Sequence, residues 1–259
     1  MRLPAFVFLL VEAYWALGCV GAPPKTPMDW LPYPAGPAPA DTVVVFLPGR
    51  GDRGADFENR GFVSAVRRRK LPLDLVAADA HWGYYRTRTL QTRLHEDVLA
   101  PARARHKRLW LAGVSAGGFG ALLYARAHPG AVEGIVLLAP FLGGSRLINE
   151  IERAGGLSAW QPGPVEAEDH ERAAWAWLKN YAPGASGYPR LVLGYGGRDS
   201  FARANGLLAA SLPPADVFTG DGAHDWETWQ GLWSRVLDAG ALSPPDPSAR
   251  GTGSEAPGP

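Results

Sequence analysis

The stretch Arg108-Leu-Trp-Leu-Ala-Gly-Val-Ser-Ala-Gly-Gly-Phe-Gly120 constrains this chain more than any other. An apolar run, Leu109 to Ala112, enters Gly113-Val-Ser115-Ala-Gly117, and a small-residue helical pattern follows at once. A Gly-x-Ser-x-Gly pentad between a strand and a helix places its serine on a sharp, strained turn with the hydroxyl exposed. The flanking glycines matter because a Cβ there would collide with the neighbouring strand and helix. In a chain with 32 glycines the bare pentad is a weak signal. Its strand and helix context gives it weight.

Around this point apolar runs alternate with helical patterns. Strands are predicted over Thr42–Leu47, Leu73–Ala78, Leu109–Gly113, Ile135–Ala139, Leu191–Tyr195 and Asp216–Phe218. The Val-rich run of the first marks a strand buried on both faces. Helices are predicted over Asp56–Arg69, Leu90–Arg105, Ala116–His128, Phe201–Leu212 and Trp226–Leu237. Such alternation argues for a parallel sheet wrapped by helices on both faces, with ligands bound at the rim formed by the strands' C-terminal ends. Residues 142–188 break the rhythm. An insertion of that length is usually a functional lid, and its helix-like segments (Arg146–Arg153, Glu166–Leu178) describe a small helical cap.

A length of 259 residues with 46% hydrophobic content supports one substantial core, over about residues 41–241. The net charge is +1, yet residues 1–130 carry 17 Lys+Arg against 10 Asp+Glu and the remainder 9 against 15. The basic runs Arg67–Lys70 and Arg103–Arg108 fall where helix C-termini are expected, which cations favour. Neither run is interleaved with aromatics suited to base stacking, so no nucleic-acid partner is expected. Residues 21–40, dense in proline, read as an extended linker, and residues 242–259 as a disordered tail. The single cysteine, Cys19, excludes an intrachain disulfide.

Arg2, the apolar stretch Leu3–Val11 and the small residues Ala16-Leu-Gly-Cys19 describe a signal over 1–20 for export to the periplasm. The Gly-Cys end resembles a bacterial lipoprotein cleavage site. Attachment to a membrane is expected only through a lipidated Cys19, with a cytoplasmic protein as the alternative.

A serine hydroxyl becomes a useful nucleophile when a base held by a third group takes its proton. His224, in the loop Asp221-Gly-Ala-His-Asp-Trp-Glu-Thr-Trp229 before the last helix, has the best setting for that base, and His81 is its rival. His95, His106, His128 and His170 fall in or beside helices and read as surface residues. Asp199, after the fifth strand, is the orienting carboxylate; the competing role for it is a helix N-cap. Asp225, adjacent to His224, reads as a cap alone. The oxyanion formed on the substrate needs backbone N–H donors. Ala116 supplies one, and the loop Leu47-Pro-Gly-Arg-Gly-Asp52 supplies the other through Arg50. His81, Trp82, Tyr84 and Tyr85 follow the second strand and are expected to line the substrate pocket, joined by cap residues Trp160, Trp175 and Trp177. An equal reading has these aromatics fastening cap to core. No spacing suggests a metal site, and no cofactor is expected.

These residues carry a resemblance. The chain is similar to the α/β-hydrolase superfamily over roughly residues 42–240, through Gly113-x-Ser115-x-Gly117, the Leu47-Pro-Gly-Arg-Gly loop, Gly197-Arg-Asp199 and Gly222-Ala-His224-Asp-Trp. The order Ser115, Asp199, His224 is the order that superfamily uses. The last segment looks like the Gly-His-Asp-Trp stretch of some bacterial esterases. Pro48-Gly49 stands where the superfamily has His-Gly, and no counterpart of its first two strands precedes residue 41, which implies a minimal, mostly parallel sheet of about six strands. The resemblance implies a serine hydrolase that cleaves small-molecule acyl esters through an acyl-serine intermediate. A thioesterase or peptidase with the same triad stays open, as does a non-catalytic binding protein on the same fold.

Overall fold

A computed structural model describes residues 22–242. The expected signal over 1–20, with Cys19, and the tail from residue 243 onward lie outside the described residues. In chain order the regular elements are β1 (Trp30–Tyr33), β2 (Thr42–Leu47), α1 (Asp56–Asn59), α2 (Phe62–Arg68), β3 (Leu73–Ala78), α3 (Trp82–Arg86), α4 (Leu90–Arg93), α5 (Ala100–Arg103), β4 (Arg108–Val114), α6 (Ala116–Ala127), β5 (Gly134–Leu138), α7 (Ser145–Arg153), α8 (His170–Lys179), β6 (Arg190–Gly196), α9 (Ala202–Ala209), β7 (Val217–Gly220) and α10 (Trp226–Asp238).

The sheet has seven strands in the order β1-β3-β2-β4-β5-β6-β7. All neighbours are parallel except β1, which pairs antiparallel with β3, Trp30 opposite Ala78. The seventh strand corrects the six-strand expectation. β1 lies inside the proline-rich segment read as a linker; it is four residues long, contains Pro32 and sits at the sheet edge, where a missing N–H is tolerated. At the other end Leu242 is buried in the core, one residue further than expected.

Both faces of the central strands are covered, which explains their unbroken apolar runs. Side chains alternate across a strand. On β2, Val43, Val45 and Leu47 join one core layer, with Tyr84, Leu94, Leu122 and Trp175. Val44 and Phe46 join the other, with Phe57, Phe62, Trp229 and Trp233. The helix predicted over Asp56–Arg69 is interrupted at Gly61, whose φ of 81° no helix accommodates. The helix predicted over Leu90–Arg105 widens into a π-turn at Leu94–Leu99 between α4 and α5.

Strand order fixes where the site lies. β3 sits on one side of β2 and β4 on the other, so the loops leaving β2 and β4 diverge and open a crevice. The insertion after β5 supplies α7 and α8. Arg172 clamps the two with a bidentate pair to Glu150, both bonds 2.8 Å, and Trp160 Nε1 donates to the same carboxylate at 2.8 Å. These bonds hold Glu150 well below its ordinary range, at about 2, with the Arg172 bond the larger cause and the Trp160 bond next.

Candidate active site

Ser115 ends the turn between β4 and α6 with φ 52° and ψ −117°, a conformation that a non-glycine residue holds only where its surroundings dictate it. Three glycines make room. A Cβ on Gly113 would sit 2.4 Å from the Gly117 backbone. One on Gly117 would sit 2.0 Å from the Leu47 carbonyl oxygen, and one on Gly118 2.8 Å from Pro140. Close packing, rather than conformational freedom, therefore dictates these glycines. The turn is fixed to β5 as Ser115 N–H donates to Leu138 O at 3.0 Å.

The other two candidates reach Ser115 through a second pair of loops. Gly197 N–H donates to Gly220 O at 2.8 Å and Arg198 N–H to Gly222 O at 2.9 Å, lacing the loop after β6 to the loop after β7. That lacing sets Asp199 beside His224. Asp199 Oδ2 lies 2.8 Å from His224 Nδ1, and His224 Nε2 lies 2.9 Å from Ser115 Oγ. The Asp199 side chain is fully buried, and its Oδ1 accepts the Phe201 N–H at 2.7 Å. That bond closes a turn ahead of α9, whose N-cap is Phe201 with no side-chain cap, so of the two roles weighed for Asp199 the geometry makes it the ring partner and not the cap. Phe201 and Trp229 meet the His224 ring edge-on, with centroids 4.8 and 4.9 Å away. Asp225 accepts the Thr228 N–H at 2.9 Å and caps α10, as expected.

Ala116 opens α6, so its N–H has no carbonyl within the helix to bind. Opposite it, Asp52 N–H closes a turn onto Gly49 O at 3.2 Å; Arg50 is the turn's second residue and Gly51, at φ 93°, its third. A Cβ on Gly49 would lie 3.5 Å from Ser115 Cβ, so this turn stands directly over the serine. Arg50 and Ala116 both border a cleft of about 950 Å³ that contains Ser115. The Arg50 guanidinium stacks over Trp82 at 5.2 Å.

Of the four residues expected to line the pocket, Trp82 and Tyr85 do so. His81 and Tyr84 do not. The four fall at the start of a helix, and residues three apart share a face. Tyr84 points into the core, where its hydroxyl donates to Lys25 O at 3.0 Å. His81 is buried and caps α3, its Nδ1 accepting the Gly83 N–H at 3.1 Å. Burial, helped by the Arg53 guanidinium, pushes its pKa down, as suits an accepting neutral ring. His81 is therefore no rival to His224.

Trp160 and Trp175 are fully buried, and Trp177 packs with Tyr181 and Tyr188; none borders the cleft, so these aromatics fasten cap to core. None of the four histidines read as surface residues is fully exposed: His95 and His128 are half-buried and stack at 4.6 Å. The His106 side chain is buried, with Nε2 2.9 Å from Asp74 Oδ2 and Nδ1 2.7 Å from Ala102 O. His170, the first residue of α8, borders the cleft. No motif announced it; only the placement of the cap brings it there. Phe119, Leu123 and Phe141 were also missed, because apolar residues after a strand read as core.

Comparison with known proteins gives the family and the fold. A model of the Esterase family matches residues 40–237. Among solved structures the chain is similar to S-formylglutathione hydrolase of Staphylococcus aureus (TM-score 0.54, 14% identity, 84% of this chain and 98% of that one). It is also similar to a monoacylglycerol lipase of Paleococcus ferrophilus (0.53, 14%, 82% and 99%) and to Est1E of Butyrivibrio proteoclasticus with ferulic acid bound (0.52, 14%, 83% and 96%). At such identities the likeness carries the fold, that of the α/β-hydrolases. No curated protein matches the chain in sequence. The chain belongs to the Esterase family, carboxylic ester hydrolases built on the α/β-hydrolase fold.

Proposed function

We propose that this chain cleaves small-molecule carboxylic esters through an acyl intermediate on Ser115, with His224 as general base and Asp199 as its orienting partner. The reading rests on one observation: an unbroken line from Asp199 Oδ2 through both ring nitrogens of His224 to Ser115 Oγ, with links of 2.8 and 2.9 Å. Both links lie within the reach that proton transfer requires.

His224 Nε2 takes the Ser115 proton as Oγ bonds to the acyl carbon, and the carbonyl π pair moves onto oxygen. The N–H groups of Ala116 and Arg50 stabilise that oxyanion. Collapse expels the alkoxide, which leaves as alcohol with the proton from His224. Water, deprotonated by His224, then attacks the acyl carbon, and Ser115 is regenerated with release of the acid. Asp199 keeps the ring's Nε2 facing Ser115 and stabilises the imidazolium in both halves.

A fluorophosphonate probe tests the assignment without a chosen substrate. Labelling of the wild type that disappears in Ser115→Ala, together with loss of ester turnover at an unchanged melting temperature, is the expected result. Full turnover in Ser115→Ala overturns the assignment. A wild type that neither labels nor turns over any ester points instead to a binding protein on this fold.

A further inference from the structure

The cleft that contains Ser115 extends along α6, which forms its floor. Ala116, Phe119 and Leu123, spaced three and four residues apart, line it from the serine toward the middle of the helix. One wall is a series of aromatic rings. Phe201, which touches the His224 ring, lies 5.5 Å from Phe141, and Phe141 lies 5.6 Å from Phe119, centroid to centroid. Leu123 continues that wall, packed with Phe119 and Ala174 of the cap.

The facing wall is α3 and α4. Tyr85 stacks with Trp82 at 5.3 Å, and its hydroxyl donates to Ala116 O at 2.8 Å. Gly120 lets it come that close. A Cβ there would lie 2.3 Å from Tyr85 Oη and 3.0 Å from Leu90 Cδ2. Over the top, an ion pair between Arg88 and Glu168 joins the α3 side to the cap, and both residues border the groove.

The direction of the groove separates the two halves of an ester. His224 must deliver a proton to the departing oxygen, so the leaving group departs on the His224 side. The acyl group is left with the apolar floor on α6. From Ser115 to Leu123 the helix advances about 12 Å at 1.5 Å per residue. An extended chain advances about 1.2 Å per bond, as a polypeptide covers roughly 3.5 Å in three.

We propose that the acyl chain of the substrate lies along α6 in this groove, and that the enzyme selects straight-chain acyl groups of about eight to ten carbons over acetyl. This rests on Ser115 being the nucleophile. Phe119 and Leu123 are then the residues that set acyl length.

The test is a series of p-nitrophenyl esters from acetyl to decanoyl, held below their aggregation concentrations. Each methylene taken fully out of water is worth a factor of about three to four, so the six that separate octanoyl from acetyl raise kcat/KM roughly a thousandfold. Leu123→Trp fills the far end of the groove and cuts the octanoyl-to-acetyl ratio at least tenfold. Leu123→Phe, a smaller plug, serves if the tryptophan variant fails to fold.

A flat or falling series in enzyme that labels with fluorophosphonate at Ser115 overturns the acyl groove and leaves the nucleophile standing. An octanoyl preference that both plugs leave intact overturns its location on α6. Absence of labelling and of turnover with every ester overturns the reading beneath it.

Discussion

The carboxylate of Asp52 accepts the indole N–H of Trp226 at 3.2 Å, tying the turn that carries Arg50 to the first residue of α10. Trp226 in turn meets Trp229 at 5.2 Å, and Trp229 meets the His224 ring. One hydrogen bond thus connects the turn above Ser115 with the packing around His224. Burial pushes the Asp52 pKa up, and the Trp226 bond partly offsets it. Asp52→Ala should lower kcat about tenfold with little change in KM, since a lost charged hydrogen bond costs about 1.5–3 kcal/mol. Asp52→Asn keeps an acceptor oxygen and should retain most of the activity. Steady-state kinetics of the two variants side by side check this.

Asp199→Asn retains the shape of the side chain and an acceptor for the Phe201 N–H, but presents the wrong hydrogen-bonding group to His224 Nδ1. A carboxamide can leave the ring in the tautomer that offers no lone pair to Ser115. Turnover should fall about 10⁴-fold, the scale known for such a change in a serine protease, while the melting temperature moves by a few degrees at most.

Gly117→Ala asks for space that the backbone occupies. The added methyl would stand 2.0 Å from Leu47 O and 2.7 Å from Pro48 O, neither of which is a side chain that can swing away. Either the helix or the turn carrying Arg50 must shift. The variant should lose more than about 3 kcal/mol of stability in urea unfolding and lose its reaction with fluorophosphonate.

The clamp in the cap gives a pH signature. Glu150 titrates at about 2 in the folded chain against an ordinary 4.5, so its folded pKa is depressed. Its contribution to stability is present above about pH 4.5 and fades as the pH falls toward 2. Because the carboxylate is 40% exposed, solvent screening keeps that contribution small. Urea midpoints of the wild type and Glu150→Gln should differ at pH 6 and converge as the pH approaches 2.

The central strands and the three candidate residues that the fold brings together were legible in the sequence for local reasons. A strand buried on both faces writes itself as an unbroken apolar run, as Thr42–Leu47 and Leu73–Ala78 do, and both were found at their predicted bounds. Ser115, Asp199 and His224 each sit in a short glycine-marked loop at a strand end, a pattern visible without coordinates. What stayed hidden depends on rotation and on partners distant in sequence. Nothing local says that Trp82 and Tyr85 face the cleft while His81 and Tyr84 turn inward; that is settled by the phase of a five-residue helix. His106 reads as exposed until Asp74, far away in the chain, is seen beside it. β1 was missed because an edge strand of four residues with a proline looks like linker.

That same edge strand has a bearing on how the molecule behaves in a crowd. A sheet that ended at β3 would offer its neighbours a long row of unsatisfied amides, an invitation to recruit a foreign strand. With Trp30–Tyr33 laid along it in the reverse sense, the border that remains is four residues long and lacks one N–H at Pro32. Such a border is too short and too interrupted to seed a growing ribbon.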